Sequence, residues 1–80
     1  MENTRIAIIG IIVSDLSSAE KVNALLHEYS DIIIGRMGVP HRKKGVSIIS
    51  VAVDGEMGVI NALTGKLGMI ENVSSKALWR

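Results

Sequence analysis

The chain predicts an α+β fold of the split βαβ, ferredoxin-like kind: a four-stranded antiparallel sheet with two helices on one face. Two observations point to it. Apolar periodicity switches between the two-residue and the 3.6-residue repeat in the order strand, helix, strand, strand, helix, strand, which is the βαββαβ pattern. The first and third strands also read apolar on both faces, as the two inner strands of the sheet order 4-1-3-2 must.

RIAIIGIIVSD opens the chain's first strand. Ile6, Ile8 and Ile12 alternate with Ala7, Ile9, Ile11 and Val13, and β-branched residues suit a pleated sheet better than a helix. With helices on one face only, the other apolar face is expected to be covered by a second copy. Ser17-Ser18-Ala19-Glu20 has the S-x-x-E spacing of a capping box. Ala19, Val22, Leu25, Leu26 and Tyr29 follow at helical spacing and end near Ser30. Residues 31–40 and 46–53 form the next strand pair, with Pro40 suited to the end of an edge strand because it donates no ladder hydrogen bond. Gly35 and Gly38 predict a bulge or a close backbone approach there. A second helix starts near Asp54 or Glu56, buries Met57, Ile60, Leu63 and Leu67, and is expected to stop at Gly65 or Gly68. VSSKALW then alternates Val73, Ser75, Ala77 and Trp79 against Ser74, Lys76 and Leu78 as a half-buried strand.

Composition narrows what such a domain does. Eighty residues, 48% of them hydrophobic and none cysteine, make one domain (1–80) without disulfide staples or thiolate metal sites. A chain of this size buries only about 60–65% of its unfolded surface, and small unstapled domains often gain stability by oligomerising. A mean hydropathy of +0.35 therefore points to a homo-oligomer, dimer or tetramer. Net charge +1 gives no case for nucleic acid from the molecule as a whole. The uncharged run Ile6–Ser14 is too short to cross a bilayer, and no basic n-region precedes it. A cytoplasmic protein is expected.

The basic cluster His41-Arg42-Lys43-Lys44, with Arg36 nearby, holds four of the nine Lys and Arg residues. At a hairpin tip it reads first as a solvated turn that discourages edge-to-edge pairing. Contact with an anionic ligand or partner stays open. A nucleic-acid face wants more breadth and interleaved aromatics, and the only Trp and Tyr lie far off in sequence. His27 and His41 show none of the HxH, HxxxH or HExxH spacings, so no cofactor or metal is expected, although a site assembled between copies stays open. Gly65-Lys66 fails as a phosphate loop, since Leu67 follows where Ser or Thr is needed. The scattered carboxylates fit helix caps and wet faces. No enzyme is expected.

LLHEYSDIIIGRMGVP, SIISVAVDG and INALTGKLGMIENVSSK resemble the family named for the regulation of iron-only hydrogenase systems, over about residues 5 to 78. Its most distinctive pieces here are Leu25-Leu26-His27, Arg36-Met37-Gly38-Val39-Pro40 and Ala62-Leu63-Thr64-Gly65-Lys66-Leu67-Gly68. That family is similar to the effector domains of ACT proteins and of nickel-responsive repressors. The resemblance implies a small, oligomeric, non-catalytic regulator, with a small-molecule effector and a hydrogenase-maturation or regulatory protein as partners. Two departures stand out. The loop Val13-Ser14-Asp15-Leu16-Ser17 lacks the Gly or Pro common in ACT domains, and the ribbon–helix–helix reader of the nickel repressors is missing, which argues against direct DNA binding. The ligand is expected at the rim between subunits, with Ser14, Asp15, Arg36 and His41 as the polar groups nearest to it.

Overall fold

A computed structural model describes residues 3–80. Four strands, β1 (Thr4–Val13), β2 (Ile33–His41), β3 (Val46–Glu56) and β4 (Val73–Trp79), form one antiparallel sheet in the order β2-β3-β1-β4. This is the expected order read from the other edge. Helix α1 (Ala19–Glu28) links β1 to β2, and α2 (Met57–Gly68) links β3 to β4.

Strand parity decides what each face holds. Ala7, Ile9, Ile11 and Val13 of β1, Ile49, Val51 and Val53 of β3 and Val73 of β4 point to the helices and are buried. Val22 and Leu26 of α1 and Ile60, Leu63 and Leu67 of α2 close over them. These are the i, i+4 and i, i+3, i+7 positions the apolar spacing predicts. Met57 stays exposed, so it is not part of that stripe. Lys66 sets its ammonium 5.3 Å from the centre of the Tyr29 ring, which ties α2 to the end of α1.

Among the element ends, the start of α1 departs from expectation, for a local reason. The Ser17 capping box does not form. Residues Leu16–Ser18 make a 3-10 turn, and the Asp15 carboxylate accepts the Ser17 N–H at 3.0 Å, a short Asx-type bond that competes with the helical cap. Ser18 then precedes α1 without a side-chain cap and donates its hydroxyl to the Glu71 carbonyl at 2.8 Å. At the far end, α2 runs through Gly65 and finishes at Gly68, followed by Met69 still in the right-handed region. The left-handed residue of this connection is Asn72, with φ 66°, a conformation Asn tolerates better than most. The bulge expected near the glycines of β2 is present, as a register shift between Ile33 and Gly35. Gly45 takes φ 67° at the hairpin turn, where glycine carries no steric penalty.

Candidate functional site

The sheet's second face carries no helix. Along β1 it presents Ile6, Ile8, Gly10 and Ile12. The antiparallel register sets Ser50, Ala52 and Ile48 beside them on β3, Met37 and Val39 beyond on β2, and Lys76 and Leu78 on β4. Seven large aliphatic side chains on this face, Ile6, Ile8, Ile12, Met37, Val39, Ile48 and Leu78, are 44–70% exposed. The expectation that β1 is apolar on both faces is met by its sequence pattern, and within one chain only the helix side is covered.

Gly10 interrupts this face at its middle. A methyl group built there would meet only the Lys76 carbonyl oxygen, at 4.0 Å, so packing inside the chain does not demand a glycine. The missing side chain leaves hollows on either side of Gly10 along β1, of about 410 Å3 toward Ile12, Ile48 and Ser74 and about 450 Å3 toward Ile8 and Leu78. Lys76 lines both.

The four polar residues expected at a ligand rim fall in two places. Ser14 and Asp15 follow the end of β1, and His41 ends β2 at the same end of the sheet, where Ser47 pairs with Val13 and Val46 with His41. A depression of about 200 Å3 there is walled by Leu16, Pro40, His41, Arg42 and Val46. Ser14 donates its backbone N–H to the Asn72 carbonyl at 2.8 Å. The bond from Ser17 to Asp15 holds that carboxyl below its ordinary pKa of 3.8, because a donor to the charged form favours it. His41 to Lys44 are all exposed.

Arg36 sits apart from these three, five residues up β2 from His41, and an odd spacing puts the two on opposite faces of the strand. It pairs with Val51 on the helix side, where its guanidinium donates to Asn23 Oδ1 of α1 at 2.7 Å. The groove between α1 and β2 there, about 460 Å3, is lined by Asn23, Leu26, His27, Ser30, Ile33 and Arg36. A guanidinium carries five N–H donors, so most of Arg36's remain for another group. Asn23 and His27 were not among the expected site residues. Their i, i+4 spacing on the wet side of α1 was the available signal.

Among the described residues no group of three or more His, Cys, Asp or Glu could hold a metal ion, and no helix is long and apolar enough to cross a membrane.

Comparison with known proteins adds three findings. Residues 5–77 match the model of the TM1266-like family, described as "Iron-only hydrogenase system regulator, putative". The structure is similar to that of the uncharacterized protein TM1266 from Thermotoga maritima, with 36% identity over 96% of this chain and 98% of that one and a TM-score of 0.93. It also resembles part of a formyltetrahydrofolate deformylase from Pseudomonas putida KT2440, at 15% identity and TM-score 0.60, over 95% of this chain and 28% of that one. This second likeness is one of fold alone. No curated protein matches the chain.

Proposed function

The chain belongs to the TM1266-like family of iron-only hydrogenase system regulators, and from that premise we propose that it is a non-catalytic, effector-sensing domain working as a homo-oligomer. The observation that carries this reading is the open sheet face. Seven large aliphatic side chains lie together on it, and apolar patches of this kind on small soluble proteins mark interaction surfaces. Two copies meeting there form a dimer, and a second contact between dimers gives a tetramer. Small domains of this sort transmit a signal when a ligand binds one packing of the subunits better than another.

The effector is a small anion, a carboxylate or a phosphate. The Arg36 guanidinium with Asn23 and His27 offers it hydrogen-bond donors in the groove beside α1, and planar guanidinium forks match such groups well. Ser14, Asp15 and His41 form the second polar rim, at the hairpin end of the sheet. The protein works in the cytoplasm, beside a hydrogenase-maturation or regulatory protein. Direct operator binding fits poorly, because the exposed basic run is confined to the hairpin tip.

A rival reading makes the open face a dock for a different protein, with no effector. Light scattering on the wild type and Ile8→Asp separates the two. The homo-oligomer reading expects a multimer that the substitution reduces to monomers with unchanged circular dichroism. A wild type that is already monomeric at micromolar concentration contradicts it. Thermal-shift screening with amino acids, nucleotides and divalent metals tests the effector, since a ligand of the native state raises the melting temperature with its concentration.

A further inference from the structure

Charge on the open face is sorted by strand. On β3, Asp54 pairs with Ile6 of β1. On the other flank of β1, Lys76 pairs with Gly10, and Arg80 continues the β4 ladder by donating its N–H to the Ile6 carbonyl at 3.0 Å. Residues 76, 78 and 80 share one parity, which is that of the open face. Glu56, two residues beyond Asp54, lines the groove at the start of α2 with Tyr29 instead. The face therefore has an acidic flank and a basic flank, with the aliphatic row of β1 between them. At about 4.8 Å per strand and 3.3 Å per residue, the Asp54 backbone lies roughly 10 Å from Arg80 and roughly 16 Å from Lys76. Only the longest reach could join them within one chain.

We propose that two copies pack open face to open face about a two-fold axis lying over β1 near Ile8, so that β4 of each copy covers β3 of the other. Lys76 and Arg80 of one copy then flank Asp54 of the second. This rests on the reading above that a second copy covers the face, and it fixes which strands meet. β1 is flanked by β3 on one side and β4 on the other, so an axis over β1 exchanges the two flanks. At the crossing of about 30° usual for aligned sheets, Asp54 of the second copy falls beside β4 between the two cations. Both pairs form at once, as an isologous contact requires.

Two more observations fit this occupant. The trough at Gly10 is unexplained inside the chain, and glycine within a central strand marks a close approach by another group. In the face-to-face dimer, an aliphatic ridge of the second copy fills that trough. The size also fits. A four-stranded face of this length covers on the order of 500 Å2 per copy, so a dimer buries roughly 1,000 Å2 in total, about the minimum for a specific interface. Like charges set opposite each other cost several kcal/mol, so the pairing of unlike flanks also sets the orientation.

The test is a charge-exchange experiment on the full chain by sedimentation equilibrium. One variant reverses the basic flank (Lys76→Glu with Arg80→Glu), and the other reverses the acidic flank (Asp54→Lys). Each alone places like charges across the dimer, and each is expected to dissociate at least about tenfold more readily than the wild type. Mixed in equal amounts they are expected to form a heterodimer of near wild-type affinity, because both flanks are again opposite in sign. If both variants dimerise like the wild type, or if mixing restores nothing, the proposed orientation is wrong. In those cases a wild-type dimer that Ile8→Asp dissociates leaves the sheet-face reading standing. A monomeric wild type overturns both.

Discussion

The two faces of one sheet are built from the same strands and nearly the same residue types, and they differ in what lies over them. On the helix side of β1, Ile9, Ile11 and Val13 are buried against α1 and α2. On the other side, Ile6, Ile8 and Ile12 stand about half exposed. The first set is explained by the chain itself and the second is not. Gly10 and Gly55 make the same contrast among the glycines. A methyl group at Gly55 would come within 2.9 Å of Ile32 Cγ2, whereas at Gly10 it would touch almost nothing. A residue constrained by its own fold and one left free by it lie on two adjacent strands.

The sharpest break in this comparison comes from matched truncations. Leu63→Ala, in the helix-side core with no exposed surface, is expected to cost about 2–5 kcal/mol, the usual range for a buried leucine, and urea unfolding will read it. Ile8→Ala is expected to cost the dilute, dissociated chain less than about 1 kcal/mol, because its side chain is already half in water. Equal losses at both sites under dissociating conditions would contradict the distinction between the faces.

The glycine pair gives the next largest effect. Gly55→Ala is expected to destabilise by about 1–3 kcal/mol, since Ile32 must shift to admit the methyl. Gly10→Ala is expected to leave the dissociated chain as stable or slightly more so, as replacing glycine in a strand recovers about 0.5–1 kcal/mol. It should nonetheless weaken self-association by filling the trough. Chemical denaturation at low protein concentration reads the first part and sedimentation reads the second.

Arg36→Ala is expected to change stability by less than about 0.5 kcal/mol, as surface substitutions do. It is also expected to abolish any rise in melting temperature caused by carboxylate or phosphate ligands. An anion response that survives the change places the ligand elsewhere, with the rim of Ser14, Asp15 and His41 next in line.

The smallest effect is one of acid. Asp15 has its folded pKa lowered by the Ser17 N–H, so its contribution is complete above the ordinary value of 3.8 and disappears as pH falls through the lower folded value. The Ser17 amide resonance should follow that titration, and Asp15→Asn should abolish the dependence. An amide shift that stays flat across the acid range would show that the cap is not formed.

Much of this architecture was legible because period and parity are written into single residues. Alternation in VSSKALW set Val73 and Trp79 against Lys76 and Leu78, and it is the first pair that packs on the core. The capping box at Ser17 misled because two side chains compete for one helix start, and Asp15 reaches the Ser17 amide first. Gly65 and Gly68 both looked like stops; the buried Leu63 and Leu67 hold the helix through Gly65, because propensity is a weak signal against packing, and it finishes at Gly68. The candidate site was half legible. The odd spacing between Arg36 and His41 already separated them by face, while the contact of Arg36 with Asn23 depends on how α1 lies on the sheet. No sequence period encodes that.

The central claim is that the open face is made to be covered by a second copy. Light scattering coupled to size exclusion at micromolar concentration tests it most directly. A wild-type mass at a whole multiple of 8.6 kDa, falling to that single value in Ile8→Asp, is the predicted result. A wild type that elutes as a clean 8.6 kDa monomer at every concentration would contradict it.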